Sequence, residues 1–398
     1  MSGQLRVAMI SGSFPPKMCG IGDYTANLSA ALRRRGVSVL NVVPPQYAHP
    51  WPAGEAGEET ILGAVKGWSL SHLACLAQTV ACLQPDIVHL QYQVSLVEGS
   101  ISAGLLPLLV RRLIPRTRFH VTLHDLHAPH QRWLGKLALR PLVAFSDCVY
   151  HSISSNRSLI ARLGRPVHVT VHKTVIGPGI TPAASPQENR DMVRRRLSIG
   201  SDEFVLTCFG TLSPTRDYET LFAAVDMLRD QISMLRVVLI GADHADDYFA
   251  YTVSDLAAMA ARYRLELGRH ILCTGKVAPQ EVVDILRAGD ATVMPLRDPE
   301  HVESRSSFSL LPYCGTPIIV TAAVHPIPPL QHGRNVLTYR REDPTDLADQ
   351  VALLHGNPEL RLELISNLGD LCRHYSWDHI AEETELCYRA SFIRVELI

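Results

Sequence analysis

Short apolar runs alternate with segments whose apolar residues recur every three or four positions, and the alternation runs through the chain twice. In the first half, Leu5–Ile10, Val37–Val43, Asp86–Leu90, Phe119–Leu123, Cys148–His151 and Val169–Ile176 read as buried strands. Asp86–Leu90 runs on into Gln91, Tyr92 and Gln93, and Phe119–Leu123 ends at His124 and Asp125. Between these runs, Asp23–Arg35 carries Leu28, Ala31 and Leu32 at helical spacing and is closed by Gly36 as a C-cap. Ser71–Leu83, Ser100–Leu113, Leu134–Phe145 and Asn156–Leu163 are further helices, and Pro44–Gly67 is a surface excursion rich in Pro, Gly, Glu and Ala.

The pattern restarts after Gly177–Glu188, the densest Pro/Gly/Ser/Ala stretch in the middle of the chain. Strands are expected at Phe204–Phe209, Leu235–Ile240, His270–Thr274, Ala291–Met294, Ile318–Val320 and Val336–Tyr339. Helices are expected at Tyr218–Leu228, Ser254–Tyr263 and Pro279–Arg287, and from Thr345 to the end. Strand–helix alternation in both halves predicts an α/β protein of two parallel-sheet, Rossmann-like domains. Residues 1–178 form the first, residues 179–375 the second, and 376–398 a helix packing back on the first.

One stretch concentrates polar chemistry. Val293–Val320 opens as a strand ending at Pro295 and crosses a loop holding Glu303, Ser304, Arg305, Ser306 and Ser307. An apolar helical turn follows (Phe308, Leu310, Leu311), then a Gly315–Pro317 break and a second strand. Strand, polar loop and helix start can hold a phosphorylated ligand, because free N–H groups and the helix dipole favour anionic oxygens. An ordinary βαβ crossover with a solvated loop fits the same letters.

Composition narrows the class. At 398 residues, 46% hydrophobic and 19% charged, the chain is ordered and long enough for two cores. A formal net charge of −1 gives no global attraction to nucleic acid. The nine cysteines contain no C-x-x-C pair and mostly lie in apolar runs, which reads as reduced thiols of a cytoplasmic protein. The start carries no secretory signal pattern, and no run reaches the 18 or so apolar residues of a spanning helix. Leu105–Arg118 mixes apolar and basic residues; a helix packed on a sheet is favoured over one lying on an anionic membrane. Arg33–Arg35 reads as a solvated helix end, and Asp243–Asp247 lacks the fixed geometry of a metal site.

Several residues stand where a ligand would be expected. Gly20 and Gly22 follow the first strand and either let backbone approach a phosphate or sugar, or simply make a tight turn. The full G-x-G-x-x-G fingerprint is absent, since Thr25 occupies its last position. His124 and Asp125 close a strand, and an imidazole there can donate to a sugar hydroxyl or a developing oxyanion. In the segment Phe209–Tyr218 the one cation, Arg216, can clamp a diphosphate or be a plain surface arginine. Glu303 can accept two sugar hydroxyls or be a solvated carboxylate.

The order and spacing of these motifs resemble a retaining glycosyltransferase of family 4. The likeness rests on SFPPKMCGIGDYTANLSAALRRRG, PDIVHLQYQ, HVTLHD and VIGPGI in the first half. In the second it rests on FGTLSPTRDYETL, VVLIGA, HILCTGKV, DILRAGDATVMPL, CGTPIIVT and SWDHIAEETELCY. The resemblance implies a GT-B fold, two Rossmann-like domains facing across a cleft, the second holding a nucleoside-diphosphate sugar and the first the acceptor. It places Gly20, Gly22, Gly210, Thr211, Arg216, Gly275, Lys276, Glu303, Arg305, Ser306 and Ser307 on the donor. Asp23, Tyr24, Gln91, Tyr92, Gln93, Asp125 and His127 would meet the acceptor, and His124, Arg216 and Glu303 would carry catalysis. Two family positions are altered. The first cation of the donor loop is replaced by Thr211, and the second family glutamate by Leu310, so the loop Glu303–Ser307 matches a variant branch better. Diphosphate binding must then lean on backbone N–H groups near Ser306 and Ser307 or on another base.

The resulting expectation is a transferase moving a hexose or amino-hexose, UDP-linked by preference, to an acceptor hydroxyl with retention. A small natural product such as an aminocyclitol is a suitable acceptor. No metal or other cofactor is expected, nor a nucleic-acid partner; membrane association is not favoured, and the chain would be a monomer or homodimer. The alternatives are an NDP-sugar epimerase on the same fold and a catalytically silent partner that binds a nucleotide-sugar.

Overall fold

A computed structural model describes residues 4–17, 19–48, 60–125, 134–151, 168–170, 187–241, 251–297, 308, 310–324, 330–374 and 376–393. The expected helix 156–163, most of the linker, the acidic stretch 243–247 and the loop 303–307 lie outside these residues. The chain divides into two compact units, 1–178 with 375–398, and 179–374.

The first unit is a seven-stranded parallel sheet in the order β3-β2-β1-β4-β5-β6-β7. Its strands are β1 (Arg6–Ser11), β2 (Ser38–Val43), β3 (Thr60–Gly63), β4 (Ile87–Gln93), β5 (Arg118–Asp125), β6 (Cys148–His151) and β7 (His168–Thr170). β3 falls inside the stretch expected to be a surface excursion; its TILG pairs with β2 from Leu40↔Thr60 to Val43↔Gly63. Helices α1 (Gly20–Arg34), α2 (Leu70–Leu83), α3 (Leu106–Leu113), α4 (Leu134–Ala144) and α12 (Trp377–Ile393) cover it. The segment expected as one helix from Ser100 is a 3-10 turn, Ile101–Leu105, running into α3. One core gathers Val88, Leu90, Tyr92, Phe119, Val121 and Leu123 with Leu76, Val80 and Val110. The opposite face gathers Val7, Met9, Ile87 and Tyr150 with Leu28 and Leu32 of α1 and Ile380 and Tyr388 of α12.

That second face is unusual for a buried parallel sheet, where near-continuous apolar runs are the rule. The two-residue period puts His89 and Gln91 of β4, and His120, Thr122 and His124 of β5, on it. Each is 2% exposed or less, so each needs a hydrogen-bond partner. His89 Nδ1 lies 2.6 Å from the Tyr388 hydroxyl and its Nε2 2.8 Å from Thr122 Oγ1. His120 Nδ1 lies 2.9 Å from the Tyr150 hydroxyl and its Nε2 3.2 Å from Ser391 Oγ. The rings of His89 and Tyr150 stack at 4.9 Å, and those of His120 and Tyr388 meet edge-on at 5.1 Å. α12 is thereby fastened by polar contacts to the sheet. Arg34 and Arg35, expected as a solvated helix end, reach the same helix at Asp378 (3.2 Å) and Glu385 (2.9 Å).

The second unit is a six-stranded parallel sheet in the order β10-β9-β8-β11-β12-β13. Its strands are β8 (Phe204–Phe209), β9 (Leu235–Ile240), β10 (Ile271–Cys273), β11 (Ala291–Met294), β12 (Ile318–Thr321) and β13 (Leu337–Tyr339). Its helices are α5 (Gln187–Arg196), α6 (Tyr218–Leu228), α7 (Val253–Ala261), α8 (Pro279–Ala288), α9 (Pro344–Gly356), α10 (Pro358–Ser366) and α11 (Leu368–His374). α5 has no apolar period to announce it, because charge holds it. Asp290 accepts from Arg190 and Arg194 at 2.6 Å each and from the Val205 amide at 2.8 Å. Arg194, 3% exposed, also donates to the carbonyls of Ala288, Gly200 and Glu203. None of the nine cysteines is in a disulfide; Cys75 and Cys82 are exposed, whereas Cys148, Cys208, Cys314 and Cys372 are buried. Among the described residues no helix is long and apolar enough to cross a membrane.

Two predictions follow from buried charge. Burial pulls the pKa of His89 from 6.5 to about 3, and burial together with His89 and Arg118 lowers that of His120. Below pH 6.5 the unfolded chain binds protons that these folded rings refuse, so stability is full above that pH and falls as pH drops. Between pH 6.5 and 5, above most carboxylate titrations, the loss approaches about 1.4 kcal/mol per pH unit and histidine. Thermal unfolding across that window measures it, and a flat melting temperature refutes the assignment. Asp290→Ala strands the buried Arg194 guanidinium and is expected to cost about 3 kcal/mol in the second unit, read by denaturant unfolding.

Candidate functional site

Open parallel sheets bind ligands beyond the carboxyl ends of their strands, where the strand order reverses direction. The first unit reverses between β1 and β4, the second between β8 and β11. Each crevice is therefore built from two loops and the helix start that follows.

In the first unit, α1 begins at Gly20, three residues before the expected start, so both loop glycines belong to the helix. Cys19 at the N-cap makes no side-chain cap bond, and the first helical bond runs from the Asp23 amide to the Cys19 carbonyl at 2.9 Å. A Cβ on Gly20 would meet nothing within 4 Å, which leaves the helix start open to a ligand. Gly22 has a different reason: its Cβ would sit 3.1 Å from the Phe14 backbone, so it allows α1 to pack down. Asp23 is exposed on the first turn.

His124 stands at the rim of β5, 1% exposed and held on two sides. Its Nε2 lies 2.7 Å from Gln91 Oε1, and the Tyr24 ring meets it edge-on at 5.0 Å. Trp377 lies 5.3 Å behind Tyr24. Gln91 is itself buried, its amide nitrogen 3.1 Å from the Met9 sulfur. An amide oxygen only accepts, so His124 carries its proton on Nε2, and in the neutral ring Nδ1 is the basic nitrogen. The ring is expected to donate to a sugar hydroxyl or a developing oxyanion; in the structure its Nε2 is engaged by Gln91.

Three residues expected at the acceptor have other duties. Tyr92 points to the apolar face with Val88 and Leu90, 1% exposed, and burial pushes its hydroxyl up to about 12. It is a core residue, because strand parity sends it opposite to Gln91. Gln91 orients His124, and Tyr24, 4% exposed, supports the ring from the side. Gln93 stays at the rim, half-buried, paired with the Asp125 backbone across a register shift. His127 lies outside the described residues.

The second unit centres on Arg216. The sequence left open a surface arginine, but the side chain is 4% exposed. It folds back over the end of β8, and Nη2 donates to the Phe209 carbonyl at 2.9 Å. Gly210, at φ 136°, leaves the space it fills, since a Cβ there would fall on the guanidinium. The loop is closed against the end of β11 by backbone bonds. Arg216 bridges Leu296 in antiparallel fashion, the Asp217 amide donates to Pro295 (2.9 Å), and the Arg297 amide donates to Thr215 (3.1 Å). Behind it the Leu296 amide donates to Thr321 Oγ1 at 2.8 Å, and that hydroxyl donates to Tyr339 at 2.9 Å. Asp217 caps α6 through the Thr220 amide at 3.3 Å.

Thr211 lies half-buried beside this loop. Gly275 sits at the end of β10, at φ 68°, bridged to Gly241 at the end of β9, and exposed Lys276 follows it. Phe308 and Leu310 are buried, so the position of the second family glutamate is apolar in space as well as in sequence. Glu303, Arg305, Ser306 and Ser307 lie outside the described residues. The sequence reading missed Arg297, Thr321 and Tyr339. Their one signal is placement at or just beyond the carboxyl end of a strand. Among the described residues no group of three His, Cys, Asp or Glu side chains is gathered to hold a metal ion.

Comparison with known proteins agrees with this arrangement. Residues 19–173 match the glycosyl transferase 4-like domain, and residues 203–357 match glycosyl transferases group 1. The chain belongs to the family-4-type glycosyltransferases. A D-inositol 3-phosphate glycosyltransferase of Stackebrandtia nassauensis is 25% identical over 96% of this chain and 90% of its own. Among solved structures, Anabaena HepE in complex with UDP and glucose superposes with a TM-score of 0.70 at 14% identity, covering 97% of this chain and 100% of that one. Sucrose-phosphate synthase from Thermosynechococcus elongatus gives 0.72 at 17%, covering 98% and 100%. The fold is GT-B and the protein is a glycosyltransferase.

Gly210→Ala tests the loop after β8 in this glycosyltransferase. A Cβ at that backbone conformation is strained and displaces the guanidinium, so stability should fall by about 1–3 kcal/mol. Transfer should fall by about 100-fold, as for loss of one aligned charge donor, read as kcat/KM. Wild-type turnover would show that Arg216 has no part in the reaction.

Proposed function

We propose that the enzyme transfers a hexose or amino-hexose from a UDP-sugar to a hydroxyl of a small cyclitol, with retention of anomeric configuration and in the cytoplasm. The observation that carries the donor half is the buried Arg216, latched at the strand-order reversal of the second unit, where a diphosphate is best received. Its charge and the N–H groups around the loop would stabilise the departing diphosphate as negative charge develops. Catalysis of this kind is positional and electrostatic and requires no resident metal. The acceptor half rests on the first unit, whose rim offers Asp23, Gln93 and the oriented His124 as neutral or anionic groups suited to hydroxyls and amines.

Two likenesses support the finer choices. The Stackebrandtia relative is named for an inositol phosphate, which is a phosphorylated cyclitol. HepE carries UDP and glucose in its crystal structure.

Calorimetric titration with UDP-, GDP- and ADP-sugars tests the donor, and UDP-sugars are expected to bind with at least tenfold preference, about 1.4 kcal/mol. UDP release should then depend on added inositol, inositol phosphate or aminocyclitol, and the product anomer is read by NMR coupling constants. Conversion of the sugar without an acceptor would replace this reading by an epimerase.

A further inference from the structure

The resemblance implies two cations in the loop after β8, and this chain has Thr211 at the first of these positions. We infer that Arg297 supplies the missing positive charge to the donor diphosphate. The inference rests on the proposed donor class and names a second residue that recognises it.

Placement is the first ground. Arg297 lies just beyond the end of β11, the strand beside β8 at the reversal of order, and its amide bonds to Thr215 at 3.1 Å. That backbone bond fixes its Cα one residue away from the Arg216–Leu296 bridge. The two arginines thus arise from facing loops of one crevice, neither on a long tether.

The state of the side chain is the second ground. Arg216 is 4% exposed and spends Nη2 on the Phe209 carbonyl. The Arg297 side chain is 34% exposed, and its contacts are loose: Nη2 to Asp217 Oδ1 at 3.5 Å and Nη1 to Glu342 Oε1 at 4.0 Å. A guanidinium has five N–H donors in a fixed fork, so two long ion pairs leave capacity for phosphate oxygens. Asp217 has its oxygens engaged by Thr220, whose amide donates at 3.3 Å and whose hydroxyl donates at 2.7 Å. It therefore orients Arg297 without saturating it. A diphosphate oxygen can join these contacts as a charged acceptor, because the fork is not filled.

The rival role is a strut that merely steadies Asp217 and the start of α6. Titration calorimetry with UDP, UMP and inorganic pyrophosphate on wild type and three variants separates the two. Arg297→Gln should weaken UDP and pyrophosphate by about 10- to 100-fold, the loss of one charged hydrogen-bond partner, and leave UMP nearly unchanged. Arg297→Lys should recover part of the loss, because it keeps the charge without the fork. Asp217→Asn keeps an acceptor for Thr220 and should bind UDP as tightly as wild type or tighter. Equal losses of UDP and UMP in Arg297→Gln, or the same loss in Asp217→Asn, would make Arg297 a strut and overturn the inference. Unchanged UDP binding in Arg297→Gln overturns the inference alone, whereas wild-type protein that binds no diphosphate overturns the donor assignment with it.

Discussion

The loop that follows β8 in the second unit depends on one buried charge, that of Arg216. A guanidinium at 4% exposure pays heavily in lost hydration unless its surroundings are fixed before folding ends. Here they are fixed by backbone: the Phe209 carbonyl, the missing Cβ of Gly210, and the bridge between Arg216 and Leu296. Thr321 and Tyr339 hold Leu296 from behind, so strands β12 and β13 contribute to the aim of Arg216. A charge positioned in this way needs no reorganisation when a leaving group develops negative charge, and that is what electrostatic catalysis demands.

The first unit solves a different problem with neutral groups. Its buried face carries histidines, a glutamine and a threonine where apolar side chains would be expected, and each has a hydrogen-bond partner. Burial holds His89 and His120 neutral, which makes them hydrogen-bonding groups and not charges. The same face ends at His124, whose proton is directed by Gln91. One unit offers positive charge and the other offers neutral polar geometry. Diphosphates are recognised by the first kind of surface and sugar or cyclitol hydroxyls by the second.

What could be read from the letters depended on whether the holding force was local. FVLTCF, LRVVLI and ATVM are apolar runs bounded by polar or glycine residues, and β8, β9 and β11 lie where those runs do. β3 was hidden because its four residues sit among Pro, Gly and Glu and gain their stability from β2. α5 was hidden because its anchor, Asp290, is remote in sequence. Tyr92 is hard to place for a simpler reason: a run of polar residues suggests a rim, and only parity along β4 separates Tyr92 from Gln91. Arg216 was visible as a cation in a loop, but its burial was not, since that follows from the fold of Gly210 around it.

The two altered family positions make more sense together than apart. Thr211 stands where the resemblance implies a cation, and Leu310, buried and apolar, where it implies a carboxylate. Either change alone would alter the local field felt by a diphosphate. At an effective dielectric near 20, one charge at 4 Å is worth about 4 kcal/mol. Both together leave the formal sum unchanged, since −1 and +1 cancel. Arg297 and its partner Asp217 likewise add no net charge, but they place a cation on the β11 side of the crevice and its counterion at the start of α6. The field strength can thus be kept while its source moves from one loop to the facing one. On the proposed donor assignment such a relocation would change which diphosphate oxygens are gripped, and it would tie donor recognition to the pairing of Thr215–Asp217 with Pro295–Arg297.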